Sequence, residues 1–293
     1  MNRRIVSLSL AAVAAMGMVA CSSEADNNGG SADSFTIGVT EGNTKQWETF
    51  TQLAKDQGIN VKLVDYQDYV TPNKALSEGA DNANSFQHLK FLAAYNVANN
   101  TDLVPVGATK IVPLALYWKD HSNLDGIEGE EVAIPNDTTN QGRAINVLVQ
   151  AGLVTLKDGK EIITPTPADI DPDKSKVTVA QFEATQTTAA YGEGKPAIIN
   201  NNFLDRANID PQSAVFTDDP NSAQAEPYIN VFATRADNKD NETLKKLTEI
   251  WQDPQVTAAM AEDSRGTSVP VNKTPAQLQE ILERLEADER NAG

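Results

Sequence analysis

The sequence is poor in the residues that build metal and nucleophile sites. It has one cysteine, Cys21, and two histidines, His88 and His121. A single cysteine excludes an intramolecular disulfide, and no Cys/His cluster with zinc spacing is present. The segment Gly192–Lys195 resembles a phosphate loop only faintly, because Pro196 stands where the motif needs Ser or Thr. We therefore expect no metal, no other cofactor and no catalytic residue, and an enzyme is the least favoured class of function.

Positive charge is also scarce. There are 24 Lys and Arg residues against 41 Asp and Glu, for a formal net charge of -17. This balance argues against nucleic acid and against an anionic lipid surface as a partner. Beyond the first 20 residues no long apolar run occurs, so no other segment is predicted to span a membrane. The length of 293 residues favours two lobes over one small domain.

The N-terminal segment has the layout of a bacterial export signal. Arg3 and Arg4 precede an apolar run over residues 5–20, which is shorter than the roughly 20 residues of a typical transmembrane helix and suits a signal peptide. The run ends in Met18-Val19-Ala20-Cys21, which resembles a lipobox with Met in place of the usual Leu. The alternative is an ordinary signal peptide followed by a chance cysteine.

The segment after the cysteine is polar and small. From Ser22 to Ser34 the chain is made of Ser, Asn, Gly, Asp, Glu and Ala, with no large apolar residue, and such a stretch favours a flexible tether. We therefore expect a signal peptide over 1–20, a lipid such as palmitate on Cys21 and a tether over 21–34. The predicted location is the outer face of the cell membrane.

Strand and helix patterns alternate through the rest of the chain. Phe35, Ile37 and Val39 alternate as in a strand, Lys45–Gln57 has helical spacing, and Val61–Val64 is the next strand. Strand, helix and strand in so few residues predict a parallel pair with a crossover helix. Further strands are predicted at 103–106, 111–118, 132–134, 176–179, 197–200 and 228–234, and helices at 71–79, 87–97, 142–150, 242–251 and from Pro275 onward. The pattern predicts an α/β protein with parallel or mixed sheets.

Three polar turns follow predicted strands. They are Tyr66–Tyr69, Pro135–Arg143 and Asn200–Asn202. Ligands of open α/β sheets bind beyond the carboxyl ends of strands. Arg143 is expected in the first turn of its helix, where a cation is disfavoured unless an anion lies beside it. Asparagine amides both donate and accept, which suits a small zwitterion. The alternatives are a surface charge for Arg143 and a simple turn for the three asparagines.

Several longer motifs, in order, resemble the methionine-binding lipoproteins that serve methionine ABC importers. The resemblance covers about Phe35 to Pro270. Its motifs are Asp68-Tyr69-Val70-Thr71-Pro72-Asn73-Lys74-Ala75-Leu76, Asn84-Ser85-Phe86-Gln87-His88, Val132-Ala133-Ile134-Pro135-Asn136-Asp137, Thr139-Asn140-Gln141-Gly142-Arg143-Ala144, Ala151-Gly152-Leu153, Ile198-Ile199-Asn200 and Pro227-Tyr228-Ile229-Asn230-Val231. The chain departs from the family at 41–45, where Glu-Gly-Asn-Thr-Lys replaces the usual Gly-Pro-His turn.

The resemblance implies a bilobed periplasmic-binding-protein fold with two crossover segments and a ligand cleft between the lobes. Lobe 1 would comprise 35–116 and 230–293, and lobe 2 would comprise 117–229. Arg143 matches the arginine that binds the ligand's α-carboxylate, and Asn140, Asn200 and Asn230 match polar residues around the carboxylate or ammonium. The aromatic wall for the thioether is matched by Tyr69, Phe86, His88 and Tyr117.

The function that the resemblance implies is capture of L-methionine or a close relative. The chain would act as a monomer and deliver its ligand to a membrane permease that works with a cytoplasmic ATPase. Two alternatives stay open at this point. One is the same fold binding another small amino acid, a dipeptide or an anion, and the other is a surface interaction lipoprotein without a role in transport.

Overall fold

The computed structural model describes residues 34–157 and 164–292. The predicted signal peptide, Cys21 and the predicted tether up to residue 33 lie outside these residues. Within the described part, no helix is both long and apolar enough to cross a membrane.

Strands and helices alternate along the described chain. The strands are β1 (Phe35–Val39), β2 (Val61–Asp65), β3 (Ala83–His88), β4 (Leu103–Ile111), β5 (Ala115–Tyr117), β6 (Glu131–Pro135), β7 (Thr178–Phe182), β8 (Ala197–Ile199), β9 (Ala214–Thr217), β10 (Ile229–Arg235) and β11 (Val269–Pro270). The α-helices are α1 (Lys45–Asp56), α2 (Thr71–Ser77), α3 (Leu89–Asn99), α4 (Thr138–Gln150), α5 (Thr187–Gly192), α6 (Glu242–Trp251), α7 (Pro254–Asp263) and α8 (Pro275–Ala292). The α/β class predicted from the alternation is confirmed.

The strands form two separate mixed sheets. The first has the order β11-β4-β10-β3-β1-β2 and the second the order β7-β6-β8-β5-β9. In the first sheet β1 runs parallel to β2 and β3, while β10 runs antiparallel to β3 and β4. In the second sheet β6 runs parallel to β7 and β8, while β5 runs antiparallel to β8 and β9. The chain therefore passes from the first sheet to the second between β4 and β5 and returns at β10.

Helices pack against the first sheet through apolar side chains, which form two clusters. One cluster centres on four aromatic side chains from α1, β10 and α6, namely Trp47, Phe50, Phe232 and Trp251. Their ring centroids lie 4.7–6.0 Å apart, within the range in which aromatic pairs attract each other. Another cluster takes in a buried apolar stripe on α8, which consists of Leu278, Ile281, Leu282 and Leu285.

The second sheet is buried on both faces at its centre. Val132 and Ile134 of β6 and Ile198 of β8 pack with α4, while Ala133, Ala197 and Ile199 face a second cluster. Continuous apolar runs of this kind are typical of parallel strands covered on both sides. The burial explains why the polar residues that follow these strands, rather than the strands themselves, are available for chemistry.

Several predicted boundaries are wrong. The helix predicted at 87–97 begins only at Leu89, because Gln87 and His88 belong to β3. The strand predicted at 111–118 is interrupted, and β5 covers only Ala115–Tyr117. Helix α4 begins at Thr138 instead of Gly142. The sequence pattern also missed α7, whose N-cap Asp253 accepts a hydrogen bond from the backbone of Gln255.

Candidate functional site

A cavity lies between the two sheets, at the ends of strands. Its empty space, which includes part that is open to solvent, is about 490 Å³. Seven of the eight ligand-binding residues predicted from the motifs line it, namely Tyr69, Phe86, His88, Asn140, Arg143, Asn200 and Asn230. The first sheet and its loops contribute Tyr69, Phe86, His88 and Asn230, and the second sheet's side contributes the other three. This convergence could not be read from the separate motifs.

Tyr117 is the predicted residue that the structure does not bring to this cavity. It lies on β5, packed in the apolar cluster of β8, and its hydroxyl donates to the carbonyl of Pro211 at 3.4 Å. Burial raises the pKa of Tyr117. Its assignment to the ligand wall remains a prediction without support from the lining of the cavity.

Helix α4 is held by an acid at its N-terminus. The Asp137 carboxylate caps the helix by accepting from the backbone N–H of Asn140 at 2.9 Å. Both its oxygens also accept from the Asn140 side-chain amide, at 3.0 and 3.1 Å. Burial raises the pKa of Asp137, and these hydrogen bonds oppose the rise. Because Nδ2 of Asn140 faces the carboxylate, its Oδ1 must face the cavity as an acceptor.

That acceptor orders two further residues. Asn200 donates through Nδ2 to Asn140 Oδ1 at 3.0 Å, and Nε2 of His88 lies 3.3 Å from the same oxygen. Nδ1 of His88 accepts from the backbone N–H of Phe91, so the ring proton is on Nε2 and is donated to Asn140. Burial, reinforced by the charge of Arg143, lowers the pKa of His88 to about 3. His88 is therefore neutral at physiological pH.

The same chain of bonds leaves one acceptor of Asn200 aimed away from Asn140. Among residues 34–157 and 164–292, Asn200 Oδ1 is one of three buried side-chain polar atoms with no hydrogen-bond partner. Leaving a buried acceptor unpaired costs about 1–3 kcal/mol. An acceptor in this state, lining a cavity, is suited to a ligand that carries N–H donors.

Arg143 lines the same cavity as this acceptor and supplies hydrogen-bond donors instead. Its Nε donates to Asp218 Oδ2 at 2.8 Å, and its Nη2 donates to the carbonyl of Val112 at 2.9 Å. The guanidinium carbon lies 4.0 Å from the ring centroid of Tyr228, a cation–π distance. Within the described residues these hydrogen bonds engage two of the five guanidinium N–H donors, so donors remain for an anion.

Two expectations about Arg143 need correction. Because α4 begins at Thr138, Arg143 lies in the second helical turn and not in the first. The anion beside it in the structure is the carboxylate of Asp218, a residue that the sequence pattern did not single out. The alternative of a surface charge is excluded, since the Arg143 side chain is only 6% exposed.

An aromatic wall continues from the polar end. The ring centroids of Tyr69, Phe86 and Phe91 lie 5.8–5.9 Å from one another, and Phe203 packs on Tyr69 at 5.0 Å. The Tyr69 hydroxyl donates to Asn202 Oδ1 at 2.7 Å. Burial raises the pKa of Tyr69 well above its ordinary value, so the hydroxyl stays a neutral donor.

The cavity also contains a charged residue that the motifs missed. Lys110 of β4 lines it, and its ammonium donates to Glu41 Oε1 at 2.7 Å and to Gln46 Oε1 at 3.3 Å. Both members of the ion pair are nearly buried, with side chains 9% and 13% exposed. Glu41 belongs to the turn at 41–45 where the sequence departs from the family, so the departure places a charge pair at the edge of the site.

The site offers no obvious metal or acid–base chemistry. In the described ranges there is no group of three or more His, Asp or Glu residues that could hold a metal ion. The site offers the remaining N–H donors of Arg143 and the acceptor Asn200 Oδ1. The aromatic rings of Tyr69 and Phe86 line the same cavity. Two α/β sheets with such a cavity between them are arranged to bind a small ligand.

The chain belongs to the NlpA lipoprotein family, whose model matches residues 35–272. It is 36% identical over 239 residues to the D-methionine-binding lipoprotein MetQ of Escherichia coli strain K12, covering 80% of this chain and 86% of that protein. The crystal structure of protein PG110 from Staphylococcus aureus superimposes with a TM-score of 0.79 at 34% identity, covering 85% of this chain and 99% of that one.

A ligand-bound relative is also similar. The nutrient-binding protein of Burkholderia cenocepacia bound to methionine matches with a TM-score of 0.73 at 31% identity, covering 80% of this chain and 99% of that one. The family predicted from the sequence motifs and the substrate-binding-protein fold class are both confirmed.

Proposed function

We propose that this chain is the extracytoplasmic substrate-binding lipoprotein of an ABC importer, and that it binds methionine or a close derivative. One observation carries the proposal. The remaining donors of Arg143 and the unpaired acceptor Asn200 Oδ1 line one cavity. This arrangement complements the α-carboxylate and the α-ammonium of an amino acid, and neither a simple anion nor a simple cation would use both.

The ligand's carboxylate lies on Arg143 in this proposal, as a charge-assisted and potentially bidentate pair. Its ammonium donates to Asn200 Oδ1, with Asn230 and the Asn140 amide nearby. The side chain then lies along Tyr69, Phe86 and Phe91. Contact between a thioether and aromatic rings is favourable by about 0.3–1.5 kcal/mol, so methionine fits this wall. The printed names of the relatives in Escherichia coli and Burkholderia cenocepacia support the choice.

Released-ligand analysis tests the proposal directly. Protein purified from its own host is denatured, and the supernatant is analysed by mass spectrometry; refolded or ligand-stripped protein over 22–293 is then titrated calorimetrically. We expect heat with L-methionine, D-methionine, methionine sulfoxide or a short methionyl peptide. If none of these binds, the proposal is wrong.

A second ligand class is favoured by one specific observation. Lys110 brings an ammonium to the cavity. Its bonds to Glu41 and Gln46 engage two of its three N–H donors. A ligand side chain ending in a hydrogen-bond acceptor, such as an amide or a sulfoxide, would use the third. Including glutamine and norleucine in the titration separates the two classes, since norleucine keeps the apolar shape of methionine without an acceptor.

We also propose that each sheet is the core of one lobe. Sheet membership supports a division close to the predicted one, which was 35–116 with 230–293 and 117–229. Because β4 ends at Ile111 in the first sheet and β5 begins at Ala115 in the second, the first crossing falls within 112–114, and residues 115–116 go with the second lobe. The return falls before Ile229, where β10 begins in the first sheet.

The remaining parts of the proposal concern the anchor and the partners. A signal peptide over 1–20, a lipid on Cys21 and a tether over 21–34 would hold a monomeric binding protein at the outer face of the membrane, near a permease and its ATPase. The family's lipoprotein name supports the anchor. Metabolic labelling with palmitate should mark the wild type and not Cys21→Ala, and equal labelling of the two would exclude Cys21. No covalent chemistry is proposed.

The same geometry argues against the alternative of a surface interaction lipoprotein. Arg143, Asn200 and Tyr69 converge on one cavity, and an adhesin has no need of this convergence.

A further inference from the structure

The segment that follows β8 carries three side chains with different partners. Asn200 lines the ligand cavity. Asn202 and Arg206, two and six residues further on, lie in short 3₁₀ turns and contact the ends of strands in the other sheet. One short segment of the second sheet therefore touches both the cavity and the first sheet.

Arg206 spans the cleft with an unusual number of bonds. Its Nη2 donates to the carbonyl of Thr40 at 2.6 Å, to Asp65 Oδ1 at 2.9 Å and to the carbonyl of Tyr66 at 3.3 Å. Its Nη1 donates to Gln67 Oε1 at 2.8 Å. Thr40 directly follows β1, and Asp65 is the last residue of β2. A single guanidinium thus joins the second sheet's segment to the carboxyl ends of two parallel strands of the first.

Asn202 makes the second set of bonds between the sheets. Its Nδ2 donates to Thr40 Oγ1 at 3.0 Å and to Glu41 Oε2 at 3.4 Å, and its Oδ1 accepts from the Tyr69 hydroxyl. Tyr69 and Asn202 both line the cavity, whereas Arg206 does not contact it. Asn200, which lines the cavity, and Arg206, which bridges the sheets, therefore lie six positions apart, and Asn202 between them does both.

We propose that Arg206 is a positioning residue that keeps the two sheets closed over a bound ligand, and that it slows ligand release without touching the ligand. This proposal rests on the proposed function. The bonds of Arg206 end on groups of the opposite sheet, so separating the sheets must break all of them together. Its side chain is only 24% exposed, so water competes for these bonds less than at an open surface.

The coupling to the ligand runs through Asn200. A ligand N–H that donates to Asn200 Oδ1 fixes the start of the segment at the occupied cavity. Arg206 fixes the end of the segment through its bonds to Thr40 and Asp65. Asn200 and Arg206 lie on the same short stretch of two 3₁₀ turns, so each contact reduces the freedom that the other must remove. The expected signature is kinetic: release is accelerated when Arg206 is lost, while association is nearly unchanged.

A matched control exists in a second arginine between the same two parts of the chain. Arg265, just after α7, pairs with Asp210, and their side chains are 57% and 40% exposed. Exposed pairs of this kind contribute little. Arg265→Gln removes the same number of charges as Arg206→Gln, so any general electrostatic effect is common to both.

Stopped-flow measurement of L-methionine binding and release tests the proposal on protein over 22–293. We expect Arg206→Gln to release ligand roughly tenfold faster or more, with association within about twofold of the wild type, and Arg206→Lys to fall between, because one ammonium cannot reproduce a planar fork. Arg265→Gln should stay close to the wild type. Release of Arg206→Gln within twofold of the wild type, or an equal acceleration in Arg265→Gln, would overturn the proposal.

Two further measurements keep the test decisive. If Arg206→Gln does not fold, Asp65→Ala and Gln67→Ala each remove an acceptor of Arg206 from the opposite sheet and must also accelerate release; unchanged release in both would reject the proposal. If no amino acid binds the wild type, the proposed function fails, and solution scattering then decides the role of Arg206. A larger radius of gyration for Arg206→Gln than for Arg265→Gln supports the bridge, and equal radii refute it.

Discussion

Nε of Arg143 lies 2.8 Å from Oδ2 of Asp218, and both side chains are nearly buried. This bond holds the Nε side of the guanidinium against Asp218. The ring of Tyr228 covers one face at 4.0 Å, and the carbonyl of Val112 takes one N–H. The remaining donors are held in a defined direction, so a ligand carboxylate meets a pre-oriented fork and not a mobile side chain.

Arg143→Lys should lose most of the affinity for an amino acid although it keeps the charge. A lysine cannot reach Asp218, Val112 and a ligand carboxylate at once. We expect a loss of about 2 kcal/mol, or roughly 30-fold in the dissociation constant measured by calorimetry. Arg290→Lys, on the exposed face of α8, is the control. Lys90→Ala is a poor control because Lys90 is buried and donates to Thr164. Affinity retained in Arg143→Lys would contradict the assigned role.

Asn200→Ala should weaken ligand binding, because it removes the unpaired acceptor Oδ1. It also removes the bond from Nδ2 to Asn140 Oδ1, so the ligand-free protein should lose about 1 kcal/mol of stability. A matched ligand isolates the contact. 4-(Methylthio)butanoate lacks the ammonium, so its affinity should fall less on Asn200→Ala than that of methionine, by roughly tenfold in the ratio. Asn221→Ala, at an exposed turn, serves as the control. Equal losses for the two ligands would show that Asn200 does not meet the ammonium.

The buried, neutral His88 predicts a specific pH dependence of stability. Its pKa of about 3 in the folded protein lies below the ordinary 6.5, so the unfolded chain binds the proton more readily between these values. The free energy of unfolding therefore falls as the pH drops below 6.5, by about 1.4 kcal/mol per pH unit for this residue.

His88→Asn removes that titration and keeps a side-chain acceptor near the N–H of Phe91. Urea unfolding at pH 6.5 and pH 5 should show a shallower decline for His88→Asn than for the wild type, since the other titrating groups are shared. His121→Asn, at an exposed position on Trp118, should follow the wild type. Parallel declines for all three proteins would mean that His88 is not held neutral.

Close packing of Thr164 against Gly142 explains why the motif before Arg143 contains a glycine. A Cβ at this position would lie 2.8 Å from Cγ2 and 3.0 Å from Cα of Thr164. Gly142→Ala should therefore displace α4, lowering the stability by about 1–3 kcal/mol and reducing ligand affinity through Arg143. Adding Thr164→Ser removes Cγ2 but keeps the hydroxyl that accepts from Lys90, so thermal unfolding should show partial rescue. No rescue would place the strain elsewhere.

The ion pair of Glu41 and Lys110 should behave as a buried pair. Lys110→Met alone leaves Glu41 without its cation, and we expect it to cost about 3 kcal/mol of folding free energy. In the double variant with Glu41→Gln, an amide oxygen still accepts from Gln46, so part of the loss should be recovered. A cycle on the exposed pair Lys195 and Glu131 should give a coupling near zero. Similar couplings in both cycles would argue against burial as the cause.

Local patterns predicted the fold class well, because the rules behind them are short in range. The β1–α1–β2 unit and helix α6 lie close to where the periodicity placed them. Thr274 and Gln277 form a capping box at the start of α8, a local signal that marks a helix N-terminus in the sequence. The errors lie where tertiary contacts outweigh local propensity. Gln87 and His88 read as helical, yet they pair with β10 in the sheet.

The sequence by itself determined the family, the alternation of strands and helices, and the residue types of the site, since these depend on motif order and on spacing along the chain. Only the tertiary structure decided which of those residues meet. It brought Arg143 to Asp218 across 75 positions, left Asn200 Oδ1 without a partner, placed Lys110 in the cavity and moved Tyr117 away from its lining. Such contacts depend on how two sheets far apart in sequence pack at their strand ends, and no local pattern encodes that distance.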